Sequence, residues 1–180
     1  GNISSLRRAK PSPSAFPNGP LRIGHWGHLS FLKGLDILLE AVQLSRHRAD
    51  IRLEIFGEVV YPDERARVAE LAKGLDVVWH GKYAPKQLAA AAFDLAVIPT
   101  RCSESWSFVL DEAFLLGLPV VVPDRGALKE RIGHAGATFL ADSSKDLARV
   151  LGDVFLNPGL LDAWRSRIPA LPRFHDHTEA

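Results

Sequence analysis

Two glutamates eight positions apart, Glu104 and Glu112, flank the start of an apolar segment in SESWSFVLDEAFLLGLPVVV, residues 103–122. Carboxylates accept hydrogen bonds from hydroxyls or move protons, so their separation decides which chemistry is open to them. A helix across both would set them about 12 Å apart along its axis. That is too far to share one proton, and two separate jobs are expected rather than a carboxylate dyad. Helix starts also favour acidic residues on dipole grounds, which by itself accounts for Asp111 and Glu112. A third charged residue, Lys33, stands immediately before Gly34 and a second amphipathic segment. A cation there opposes the helix dipole, unless an anion binds the same amides and the ammonium and N–H groups act together on a phosphate. A solvated lysine is the competing reading, and the loop alone leaves the two level. That loop, GHWGHLSFLKG, has neither GxGxxG nor GK[ST], so a nicotinamide cofactor and a Walker-type ATPase are both unsupported.

The elements that would position these residues alternate. LRIGHWG reads as a buried strand. From Gly34, Leu35, Leu38, Leu39 and Val42 recur at helical spacing, giving a helix to about His47. IRLEIFG, DVVWHG, DLAVIP, LPVVVP and GATFLA read as further strands. PDERARVAELAKG and PKQLAAAA read as helices opened by Pro62 and Pro85, followed by the helix of the opening stretch, capped near Ser105 to Ser107. A short helix spans about 126–132, and two more, about 143–156 and 158–168, finish the pattern. Strands rich in valine, isoleucine and leucine, separated by helices, predict an α/β fold: a doubly wound, Rossmann-like parallel sheet of about six strands. Its ligand crevice lies beyond the carboxyl ends of strands one and four, so the loops holding Lys33 and Glu104 should face each other.

Composition narrows the rest. The length, 180 residues, fits one domain; residues 1–20, with four prolines and no periodic apolar pattern, read as a linker, 21–170 as the domain and 171–180 as a polar tail. Lysine and arginine number 22 against 21 acidic residues, which gives no electrostatic reason to propose nucleic acid or an anionic membrane as partner. The single cysteine, Cys102, cannot form an internal disulfide, and the reducing cytoplasm is the expected compartment. A start at Gly1 without any methionine suggests a segment of a longer product.

Several stretches then agree, in order, with one family. LSFLKGLDILLEAV resembles a KG-x-D-x-L-L-x-A motif, and LEIFGE and VVWHGKY resemble strands ending in glycine turns. ESWSFVLDEAFLLGLPVVVPDRGALKERI resembles an E-x7-E motif followed by EA-x-x-x-G-x-PV and G-x-x-x-E. From about Leu21 to Ala141 the chain resembles the C-terminal, donor-binding domain of GT-B glycosyltransferases, most like family 4, the glycosyl transferases group 1 set. The resemblance implies a nucleotide-diphosphate-sugar donor, retention of anomeric configuration, no bound metal and no further cofactor. It implies that Lys33 contacts the diphosphate and stabilises charge on the leaving group, so that Lys33 and Glu104 are the catalytic candidates. Glu104 would lie near the sugar hydroxyls and Glu112 would hold the ribose hydroxyls. Gly27, His28 and the start of the helix at Ser105, Trp106, Ser107, Phe108 and Val109 would surround sugar and phosphate, with Lys82 and Tyr83 bordering the base.

His28 stands where the family commonly has arginine, replacing a fixed charge by an imidazole charged only in part near neutrality, which implies weaker or pH-dependent donor affinity. Ser107 and Glu58 stand where glycine is common. The resemblance also implies an absent N-terminal domain that binds the acceptor, and through which alone a membrane would be reached. The alternatives are a degenerate nucleotide-sugar-binding module, a GT-B-type epimerase and a glycoside hydrolase using the two glutamates. A receiver-like module is disfavoured, because strands one and three end in His25–Trp26 and His80–Gly81 rather than in an acidic pocket. Simpler readings cover the remainder: Cys102 as a small buried hydrophobe, Trp106 as packing, Arg125 and Lys129 as surface charges rather than groups at the crevice rim, and His175 with His177 as solvated. His25, His80 and His134 receive no role.

Overall fold

The computed structural model describes residues 16–170. Its six strands are β1 (Leu21–Trp26), β2 (Ile51–Phe56), β3 (Asp76–Gly81), β4 (Leu95–Val97), β5 (Val120–Pro123) and β6 (Gly136–Phe139). All neighbouring strands pair in parallel, in the order β3-β2-β1-β4-β5-β6. A parallel neighbour requires a crossover, and the crossovers put helices on both faces. On one face lie α1 (Leu35–Leu44), α2 (Pro62–Leu71), α6 (Ser144–Leu156) and α7 (Gly159–Arg165), packed with Leu21, Ile23, Leu53 and Ile55 of the sheet. On the other lie α3 (Pro85–Ala90), α4 (Phe108–Leu115) and α5 (Gly126–Ile132), around Trp26, Phe56, Phe93, Ala96 and Val122. Consecutive residues of β1 therefore serve opposite cores.

The expected order of elements holds, with local differences. The first helix stops at Leu44 rather than His47, because Ser45 turns extended and its hydroxyl accepts from His47 N at 3.1 Å, redirecting the chain into a short turn at Arg48–Asp50. Strand β4 is shorter than DLAVIP because Pro99 has no N–H to continue a ladder. Packing begins before Pro20. Phe16 is buried and meets the Phe155 ring edge-on, centroids 5.0 Å apart, although it was read as part of the linker; a single aromatic in a proline-rich stretch has no periodicity to reveal it. Residues 1–15 and 171–180, with His175 and His177, lie outside the described residues.

Candidate active site

The strand order reverses between β1 and β4, where α1 leaves on one face and α4 on the other. Gly27 turns the chain off β1 at φ +116°, its N–H donating to Phe56 O at 3.1 Å. Phe31–Lys33 form one tight turn that ends on Gly34 at φ +72°. A Cβ on Gly34 would fall 1.9 Å from Pro99 O, so only glycine lets this turn meet the loop after β4.

The two loops are zipped together. Leu32 O accepts from Arg101 N at 2.8 Å and from Thr100 Oγ1 at 3.2 Å. The Arg101 guanidinium forks onto both Asp36 oxygens at 2.7 and 2.9 Å, donates to Phe31 O at 2.6 Å, and lies 3.8 Å over the Phe31 ring. Arg125, expected to be a surface charge, donates to Arg101 O at 2.6 Å and pairs with Asp142 at 2.6 Å, tying the next crossover to the same loop. Glu104 O accepts from Ala127 N at 3.3 Å. The consequence is that Lys33 Nζ donates to Glu104 Oε1 across the crevice. Lys33 is thus partly exposed but held by a carboxylate, and it is not a cation set directly on a helix start. The left-handed Gly34 separates it from α1.

Glu112 has a different partner. Its Oε2 accepts from the Trp26 indole at 2.8 Å. Burial raises its pKa above the ordinary glutamate value; the indole bond opposes that rise and Asp111 adds to it. The two glutamates therefore do not share a contact, as the spacing implied. Helix α4 opens with Ser107 as its cap, the hydroxyl accepting from Leu110 N at 3.4 Å, and helix geometry leaves the Phe108 and Val109 amides without an acceptor inside the helix. Ser105, Trp106 and Phe108 are exposed. Trp106 packs through its polar side: its indole donates to Asp111 at 2.8 Å, and Arg131, which pairs with Asp111, lies 3.8 Å over its ring. Val109 approaches the first loop, its Cγ2 3.5 Å from where a Gly27 Cβ would be.

Gly27, His28, Lys82 and Tyr83 come together with Gly57, Glu58 and Val60 around an open recess of ≈ 360 Å³. Lys82 Nζ stands 3.5 Å from Glu58. Burial and the nearby charge of Glu112 push the Tyr83 hydroxyl up to about 12, which joins Glu112 electrostatically to this recess. The expected residues thus form a Lys33–Glu104 pair, an open recess lined by Gly27, His28, Lys82 and Tyr83, and Glu112 with the start of α4. Among the described residues no cluster of three or more histidine, cysteine or carboxylate side chains is arranged to hold a metal.

Cys102 is not the buried hydrophobe expected. It is partly exposed, with Sγ 4.0 Å from Leu32 O, because the loop zipper uses its neighbours' polar atoms. Two of the unassigned histidines acquire partners. His80 pairs with Glu54 at 2.7 Å, and burial, which alone would raise the Glu54 pKa, is outweighed by bonds from His80 and Arg22, so the net shift is downward. His25 is buried, its Nδ1 donating to Val97 O at 3.0 Å and its Nε2 unpaired. Burial chiefly, and the Lys33 charge, hold His25 below the ordinary histidine value against that hydrogen bond. Sequence reasoning missed Trp26, Asp36 and Arg101. Trp26 carried a signal as a donor-bearing aromatic at the carboxyl end of strand one, and Asp36 as the aspartate of the KG-x-D motif; Arg101 carried none. Among the described residues no helix is long and apolar enough to cross a membrane.

Comparison with known proteins agrees with this fold. The chain is 28% identical over 156 residues to lipopolysaccharide 1,2-N-acetylglucosaminetransferase of Salmonella typhimurium strain LT2, covering 79% of this chain and 40% of that protein. Its fold matches Anabaena HepE, solved in complex with UDP and glucose, at TM-score 0.70 and 24% identity, over 83% of this chain and 42% of HepE. It also matches the catalytic domain of cholesterol-α-glucosyltransferase from Helicobacter pylori at TM-score 0.68 and 20% identity, over 83% of this chain and 94% of that domain. The chain spans about two fifths of the length of the Salmonella and Anabaena relatives. With residues 20–157 matched by the model of the glycosyl transferases group 1 family, the chain belongs to that family.

Proposed function

We propose that this chain is the donor-binding half of a retaining glycosyltransferase that uses a nucleotide-diphosphate sugar. The observation that carries the reading is the meeting of Lys33 and Glu104 across the β1/β4 crevice. It sets a cation for phosphate beside an acceptor for sugar hydroxyls at the place where parallel sheets bind ligands. In this reading the recess beside Lys82 and Tyr83 takes the base, and Glu112 takes the ribose hydroxyls. The Phe108 and Val109 amides, with Gly27 and His28, surround the diphosphate and sugar. HepE, solved with UDP and glucose, supports a uridine nucleotide as first candidate.

Glycosidic bond cleavage leaves negative charge on the diphosphate. Lys33 stabilises that charge more as the bond breaks, which is the differential binding that accelerates a reaction. Glu104 then exchanges the ammonium for a sugar hydroxyl. The acceptor side comes from a second, N-terminal domain of the longer protein, and donor binding is what this chain performs alone.

Calorimetric titration with UDP, GDP and ADP and their sugar conjugates tests the reading, repeated with Lys33→Ala and Glu112→Ala. One nucleotide should bind, and both substitutions should weaken it. A folded chain that binds none of them would remove the donor-site reading.

A further inference from the structure

Trp26 has no role in the reading above, yet among the described residues its indole supplies the hydrogen bond that reaches Glu112, from a strand end to a helix 86 positions away in sequence. An indole N–H only donates and does not titrate, so it fixes a carboxylate oxygen without supplying a proton of its own. The ring is held on every side. Trp26 is 3% exposed and stacks on Phe93, centroids 5.7 Å apart at 20°. Phe93 in turn meets Phe56 edge-on. Gly24 makes room for the stack, since a Cβ there would fall 2.9 Å from Phe93 Cδ1 and 3.0 Å from Trp26 Cζ3. With Oε2 taken, Glu112 Oε1 has no partner among the described residues and is not sealed in the core.

We propose that Trp26 is a positioning residue: its indole N–H holds Oε2 of Glu112 and so presents Oε1 to the crevice as the acceptor for ligand hydroxyls. The proposal rests on the donor-site reading, in which Glu112 receives those hydroxyls. Among the described residues the titratable groups facing Glu112 are Tyr83, from the turn after β3, and Asp111 on its own helix; neither donates to it. Among the described residues the indole bond therefore also opposes protonation of this half-buried carboxyl.

The test uses this 180-residue chain, UDP as probe and Trp26→Phe. A benzothiophene side chain at the same position serves as a second variant, keeping the ring shape without the N–H. Carboxyl 13C signals follow the titration of Glu112, and calorimetry follows UDP at pH 6 and pH 8. In both variants Glu112 should titrate at higher pH than in the wild type. UDP binding should weaken at both pH values, because the acceptor is no longer held, and by more at pH 6 than at pH 8, because the freed carboxyl is also protonated more easily. In a Glu112→Gln background, removing the indole should leave no pH-dependent loss. A purely structural tryptophan would lower affinity equally at both pH values and leave the Glu112 titration in place, and that result overturns the proposal. A wild-type chain that binds no UDP removes the reading beneath it, an outcome separate from wild-type binding with an unmoved titration.

Discussion

His25 and Trp26 are neighbours in β1, yet they build two unlike halves of the crevice. His25 lies in the field of Lys33, beside two loops joined by ion pairs and backbone hydrogen bonds. Trp26 supports Glu112 from an aromatic wall of Phe93, Phe56 and Tyr83. One half is charged and has its charges paired before any ligand arrives; the other is largely apolar and holds a single acceptor in place. In the proposed reading the difference lets two glutamates on one segment serve different ends: a phosphate takes over the cation held by Glu104, while the indole keeps its hold on Glu112.

The contrast is broken most severely at Gly34. Alanine there would meet Pro99 O and keep a left-handed backbone, so Gly34→Ala should destabilise the fold by about 2–4 kcal/mol in urea unfolding and abolish nucleotide binding. An unchanged unfolding midpoint would show that the loops part without cost and that the charged half is not built by their contact.

A sharper division comes from paired substitutions read with UDP, which has no sugar. Glu112→Gln should weaken binding about tenfold, because a charged acceptor for hydroxyls is lost. Glu104→Gln should leave affinity unchanged or raise it by about threefold, because Lys33 no longer has to leave a carboxylate. Equal losses in the two variants would mean that both glutamates do one job.

The smallest effect is on stability against pH. Unfolded His25 gains a proton as pH falls through the ordinary histidine value of 6.5, whereas the folded residue resists protonation to lower pH. The unfolded state then binds more protons, so stability falls on acidification below that value, by at most about 1.4 kcal/mol per pH unit. Glu54, shifted downward, adds to the loss only further down, as pH falls through the ordinary glutamate range. Replacing His25 by leucine should flatten the curve between pH 7 and pH 5. A curve of unchanged slope would mean that His25 titrates alike in both states.

The fold was legible because its signals are local and repeated: apolar strands, helices opened by Pro62 and Pro85, and glycines that end strands. The resemblance named the residues expected at the crevice, and topology said which loops would face each other. What could not be read was partnership. Nothing in the spacing ties Arg101 to Asp36, 65 residues away, or Trp26 to Glu112, because side chains meet through tertiary packing that periodicity does not encode. Lys33 looked level between solvent and phosphate for the same reason: its resting partner belongs to another crossover. Phe16 and Cys102 were misread in opposite directions, one buried by a ring on α6, the other left partly exposed by a loop whose polar atoms face inward.

Gly27 and Gly57 line the recess with main chain alone. Gly57 sits at φ +130° with the place of its Cβ 2.2 Å from Gly27 O, so a side chain there would have to displace that carbonyl. This part of the lining is hard to retune by point mutation. Any change in what the recess accepts over evolutionary time must therefore be written on its walls, in His28, Glu58, Lys82 and Tyr83, and a survey of natural variants should find diversity there above an unchanging pair of glycines.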